Sequence, residues 1–325
     1  MKMDRFNRRE LLIKTVASGT AAAVMASLAQ AAERPAARPA AKPARKPQGG
    51  MGGLQESPKI RISTPNAEKL GWRLCIQQYT FRDRSFYEML DVVAKMGVAN
   101  VEPAYFLPLS KEKPDLKCSE SLSAENRKEM KKRMDDLGIK MPNFYAQLEA
   151  DKTKYRGIFD FAKEMGVETI VAEPPIDALA EIEKLCEEYK IKLAIHNHPE
   201  GSGSAYWNPD VFVKACEGRS PLIGGAPDTG HWVRSGLDTL ESLKKYQKRI
   251  NTIHLKDAEE SGKRDSRDVP LGTGKANYAA LLKQIYDWKW RGVMTVEYEH
   301  QSPQLVEEVA QCVKYVEDFA TKVKA

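Results

Sequence analysis

Thr252-Ile253-His254-Leu255-Lys256-Asp257 alternates with a period of two, so Thr252, His254 and Lys256 share one face of an extended segment while Ile253 and Leu255 take the other. An imidazole and an ammonium do not belong against apolar helices, so the segment predicts a strand with an apolar outer side and an ionisable inner side. The same parity groups Thr169 with Val171 and Glu173, Ala194 with His196 and His198, and Val293 with Thr295 and Glu297. Strands that carry acids and imidazoles inward toward their C-terminal ends imply a closed parallel sheet with a site at one mouth.

Working outward, β-rich runs at Arg73–Gln78, Asn100–Pro103, Lys140–Tyr145, Thr169–Glu173, Lys192–His196, Leu222–Pro227, Thr252–Lys256 and Val293–Glu297 read as eight strands. Stretches of helical period follow them at Phe86–Met96, Ala124–Leu137, Tyr155–Met165, Ile176–Tyr189, Pro209–Ala215, Leu237–Tyr246, Tyr278–Trp288 and Pro303–Thr321. Gly97, Gly138 and Gly166 each stand just past a helical pattern, with an apolar residue entering the next strand. Eight β-then-α repeats with right-handed crossovers predict a (β/α)8 TIM barrel of class α/β. No GxGxxG follows the first strand, which argues against a dinucleotide-binding sheet.

The chain has 325 residues, 42% hydrophobic and 30% charged, enough for one large core. Its net charge of +6 is uneven: residues 1–50 carry ten Lys/Arg against three Asp/Glu, and the rest carries 41 against 42. A near-neutral body gives no electrostatic footprint for a nucleic acid. Arg8-Arg9 precedes a moderately apolar stretch, Thr15 to Leu28, that ends in Ala29-Gln30-Ala31. This layout predicts a twin-arginine export signal over residues 1–31 and a periplasmic or otherwise exported protein; the apolar stretch is too short to span a bilayer. A Pro/Ala/Gly-rich linker is expected over 32–71, then the barrel over 72–325, with no stable membrane span in the mature protein. Cys75, Cys118, Cys186, Cys216 and Cys312 are odd in number and widely spaced, so no disulfide framework is expected.

The histidines are concentrated. His196 and His198 stand at or after the fifth strand, His231 after the sixth, His254 in the seventh and His300 after the eighth, none in a predicted helix. Acids facing a lumen need a partner. Glu173, Asp228, His254 and Glu297 come from four strand ends, and one divalent ion (Mn2+, Mg2+, Co2+ or Zn2+) would satisfy them all.

Pro227-Asp228-Thr229-Gly230-His231, Ile253-His254-Leu255-Lys256-Asp257, Pro270-Leu271-Gly272-Thr273-Gly274 and Val296-Glu297-Tyr298-Glu299 resemble the xylose isomerase-like barrels called sugar phosphate isomerases/epimerases. Ile76 to Arg82 and Val101-Glu102 resemble the same family's opening, and the likeness covers about residues 72–320. The resemblance implies metal ligands at Asp228, His254 and Glu297. Ketose 3-epimerases of this group add a Glu on the fifth strand, where Leu193 to His198 offers no acid. Glu173 is the expected fourth ligand, with His198 as an alternative, and His196-Asn197-His198 is similar to dehydratase- and lyase-like members. Glu173, Glu297, Lys256 and His198 are the expected catalytic residues, with His231, His196 and Trp232 binding a carbohydrate. The implied reaction is isomerisation or epimerisation by proton removal beside a carbonyl, with dehydration or a non-catalytic carbohydrate-binding barrel as alternatives. An apurinic endonuclease would need metal-binding histidines on the second and third strands, where Glu102 and Asn143 to Tyr145 supply none.

Overall fold

The computed structural model describes residues 60–149 and 151–323. The export signal and most of the expected linker lie outside the described residues. Parallel strands β1 (Trp72–Gln77), β2 (Val101–Glu102), β3 (Asn143–Tyr145), β4 (Thr169–Ala172), β5 (Lys192–His196), β6 (Ile223–Ala226), β7 (Thr252–Leu255) and β10 (Gly292–Val296) form the wall, and a small antiparallel pair, β8 (Asp257–Ala258) and β9 (Asp268–Val269), caps the mouth. They pair as β2-β1-β10-β7 and β3-β4-β5-β6. Bridges Asn100–Lys140 and Ala104–Tyr145 close one seam, Gly225–Ile250 and Asp228–His254 the other. The result is a closed TIM barrel, as the β-then-α alternation requires.

Helices α2 (Phe86–Met96), α3 (Ala124–Asp136), α4 (Tyr155–Met165), α5 (Leu179–Tyr189), α6 (Pro209–Cys216), α8 (Thr239–Tyr246), α9 (Tyr278–Asp287) and α10 (Leu305–Lys322) follow the strands. Their local signals are plain in α2: Ser85 and Glu88 form a reciprocal capping box, and Gly97 ends the helix at φ +88°. Tyr246 and Phe212 stack at 3.8 Å between ring centroids. A Cβ on Gly225 would lie 2.5 Å from the Tyr246 ring, so only glycine lets β6 meet that stack.

Two expectations are corrected. Pro65–Lys69, read as linker, forms helix α1, because Glu317 of α10 accepts the Asn66 and Ala67 N–H groups at 3.1 and 2.9 Å. His231 lies inside a short helix, α7 (Thr229–Arg234), that follows β6 directly. Its six residues, one of them glycine, leave no apolar period by which to recognise it.

Inside the barrel, Val171, Ala194 and Ala226 pack against Tyr145. Beside them lies a polar layer: Asn143 Nδ2 reaches Glu102 Oε2 at 3.0 Å, Thr252 Oγ1 at 2.9 Å and Thr295 Oγ1 at 3.2 Å. The five cysteines are buried and free. Among the described residues no helix is long and apolar enough to cross a membrane.

Candidate active site

Parity delivers four ligand-type side chains to one point. His196 ends β5, Asp228 follows β6, His254 sits in β7 and Glu297 follows β10, and one potential donor atom from each lies within 4.8 Å of the others. All four are buried. Asp228 divides its oxygens: Oδ1 accepts the His231 N–H at 2.9 Å and caps α7, while Oδ2 has no hydrogen bond. The His196 Nε2 is likewise without a partner, 3.6 Å from Asp228 Oδ2 and 3.9 Å from Glu297 Oε2. Buried polar atoms rarely stay unsatisfied. Two imidazoles and two carboxylates that converge on one point, with His196 Nε2 and Asp228 Oδ2 left without a hydrogen bond, fit a borderline divalent cation.

Both imidazoles are held from behind. His196 Nδ1 faces Glu173 Oε1 at 3.2 Å, and His254 Nε2 faces Glu102 Oε2 at 3.2 Å. A carboxylate on the far nitrogen fixes ring orientation and tautomer and raises ligand basicity. The remaining nitrogen of His254, Nδ1, lies 2.9 Å from Glu297 Oε2. Burial opposes a charged His254, yet Glu102 and Glu297 outweigh it and raise its pKa to about 10.

Lys256, fully buried, lies beside the cluster. Its Nζ is 2.8 Å from Glu299 Oε1, 3.1 Å from Asp228 Oδ2 and 3.4 Å from Glu297 Oε2. It also lies 3.1 Å from His231 Nε2. Burial pushes the His231 imidazole well below its usual pKa despite Asp228, and Lys256 adds to the effect. Arg234 of α7 ties the rim together through Glu299 at 2.5 Å and Asp268 at 2.6 Å. Burial raises the Asp268 carboxyl to about 7 even with Lys256 near.

A cleft of about 720 Å³ opens above the cluster, lined in part by His196, His198, His231 and Glu297. Asp228, His254 and Glu297 therefore meet as the sequence predicts. The fourth member of that group is His196, expected to bind substrate; Glu173, which follows β4, bonds the ring nitrogens of His196 and His198 and forms with them a second group that could hold an ion. His198 is partly exposed and reaches the cleft. Trp232 does not line it. One residue on from His231 along α7, its ring turns outward and is buried against Tyr246 at 5.3 Å.

Glu102, Arg234, Asp268 and Glu299 were not singled out from the sequence. β2 has two residues, too few for parity to show which way Glu102 points. Glu299 shares the parity of Glu297, a signal that was available.

A family model described as xylose isomerase-like TIM barrel matches residues 90–316. An inosose dehydratase of Clostridium perfringens is 29% identical over 154 residues, 42% of this chain and 50% of that protein. The chain thus spans about half the length of the curated relatives it matches. Among solved structures, a protein of Parabacteroides distasonis superposes with a TM-score of 0.61 at 28% identity, over 76% of this chain and 99% of that one. The crystal structure of the IolI protein with a bound zinc atom gives a TM-score of 0.59 at 20% identity, over 77% and 98%, a likeness of fold.

Proposed function

The chain belongs to the xylose isomerase-like TIM-barrel family, and from that premise we propose that it is a metal-dependent enzyme that removes a proton beside a carbonyl of a sugar or polyol. One observation carries the proposal: the ligand-type atoms of His196, Asp228, His254 and Glu297 converge below a cleft, with His196 Nε2 and Asp228 Oδ2 making no hydrogen bond. A divalent ion held by these four residues would polarise a substrate carbonyl and acidify the adjacent C–H.

The chain's own groups supply the rest. Lys256 places an ammonium where it can donate to an oxygen gaining negative charge, and Glu299 holds it there at 2.8 Å. His231, kept neutral by burial, orients a substrate hydroxyl. His198, anchored through Nδ1 by Glu173, presents its other nitrogen to the cleft and moves the proton. Returning that proton to the other face or to the neighbouring carbon gives epimerisation or isomerisation. A second reading, dehydration, is favoured by the inosose dehydratases among the relatives. The twin-arginine pattern at Arg8-Arg9 supports export, and hence an unphosphorylated substrate, as part of the same proposal.

The test is a screen of sugars and polyols bearing a carbonyl against metal-loaded protein in D2O. Carbon-bound deuterium in recovered substrate or isomer supports enolisation, and a product lighter by one water selects dehydration. Glu297→Gln is expected to abolish both metal retention, read by elemental analysis, and turnover. Full activity in that variant would refute the assignment.

A further inference from the structure

We propose that the substrate consists of two linked sugar rings, the reacting ring over the metal cluster and a neutral second ring in a side lobe walled by Pro174, Pro175 and Ile176. The inference deepens the functional reading above and rests on it. Beside the main cleft lies a second hollow of about 480 Å³, and the two share Tyr145, His198 and Ser202. Either volume alone lies within the roughly 300–1,000 Å³ that takes a drug-sized ligand, so the joined clefts exceed what one monosaccharide fills.

An independent observation points the same way. Among the described residues the large hydrophobic side chains left exposed are Phe106, at 40%, and Ile176, at 46%. Exposed apolar residues scattered singly need no explanation. These two are not scattered: Phe106 lines the main cleft and Ile176 the side lobe.

The lobe's chemistry selects its occupant. Pro174, Pro175 and Ile176 offer an apolar wall, while Ser202 and Ser204 stand among its other lining residues. Each of these hydroxyls accepts a backbone N–H at 3.2 Å, from Ser204 and Tyr206 respectively, and keeps its own hydrogen to donate. A pyranose, with an apolar C–H face and a hydroxyl edge, suits that pairing. Glu173, the carboxylate of the lobe, meets His196 and His198 through Oε1, and among the described residues no Lys or Arg lines the lobe, so nothing there selects an anionic group over a neutral ring. The linkage between the rings would pass His198, which borders both hollows.

Saturation-transfer NMR on the full-length, metal-loaded protein tests this with methyl glucoside, methyl galactoside, cellobiose, trehalose and lactose. At least one disaccharide is expected to receive saturation on both rings and to bind tenfold or more tightly than the methyl glycosides. Ala205→Trp, which fills the lobe from an exposed position, is expected to erase that advantage while methyl glycoside binding and metal content stay unchanged. Ile176→Ala gives the same comparison without added bulk. Disaccharides that bind through one ring only, or no better than methyl glycosides, would overturn the side-lobe proposal and leave the enzyme reading standing. Binding of none of the five would likewise overturn the two-ring proposal, while the D2O screen of carbonyl-bearing sugars decides the enzyme reading separately.

Discussion

His254 shows how much of the site depends on single contacts. Glu102 holds its Nε2 and Glu297 its Nδ1, and Asn143 and Thr295 in turn hold Glu102 at 3.0 and 3.1 Å. Removing a carboxylate that orients a ligating histidine commonly costs about 10–100-fold in metal affinity. Glu102→Gln is therefore expected to weaken Mn2+ or Zn2+ binding by about that factor, read by competition with a chelator, while the folded barrel persists. Unchanged affinity would show that Glu102 serves only the polar layer. His254 and Glu297 were legible in advance because each lies on or just past a strand of at least four residues, long enough for alternation to reveal its face, whereas Asp228 was placed by its strand end and by the motif Pro227 to His231. Parity also grouped His196 with the lumen, but it could not rank His196 above Glu173 as a ligand. Both point inward from adjacent strands, and only the three-dimensional registry puts the imidazole between Glu173 and Asp228.

At the level of elements, α7 performs the most work per residue. Asp228 caps it, His231 and Arg234 project from it toward the cleft, and Trp232 anchors its other side in the core. Gly230 lets the stem of Lys256 pass: a Cβ there would stand 2.4 Å from Lys256 Cγ and 2.8 Å from its Cβ. Those atoms are close to the β7 backbone and have little room to yield. Gly230→Ala is expected to displace the Lys256 ammonium and to lower turnover by about 100-fold, in line with the cost of misplacing a catalytic group by about 1 Å. The metal content is expected to stay as in the parent protein, because no ligand is touched; loss of metal together with turnover would place the effect in the cluster instead. The long amphipathic helices were readable, α2 and α4 to the residue, since glycine stops and apolar spacing agree in both, with a capping box at the start of α2 as well. The start of α5 was not: Ile176–Ala178 forms a tighter turn after Pro174-Pro175, and this is the turn that leaves Ile176 exposed.

For the whole molecule, closure of the barrel couples metal binding to protons. In the metal-free protein His254 keeps its charge up to about pH 10, against an ordinary value of about 6.5. A raised imidazole pKa contributes stability that is fully present below about pH 6.5 and is lost as pH rises through about 10. A cation taken up on Nδ1 must expel that proton, so apparent metal affinity is expected to rise about tenfold per pH unit from this group between pH 6.5 and 8.5. Calorimetric titrations in buffers of different ionisation enthalpy would count the released proton, and a pH-independent affinity would exclude the linkage. What the sequence determined by itself was the alternation of strand and helix, the inward face of each longer strand, and the mouth at which the ionisable residues gather. These follow from periods of 2 and 3.6, which are local properties of the chain. Only the tertiary structure decided that His196 joins Asp228, His254 and Glu297 in one cluster, that Glu102 and Glu173 brace the imidazoles, and that a side lobe adjoins the cleft. Those facts depend on how eight strands from distant parts of the chain stagger as they close, a relation that no window along the sequence contains.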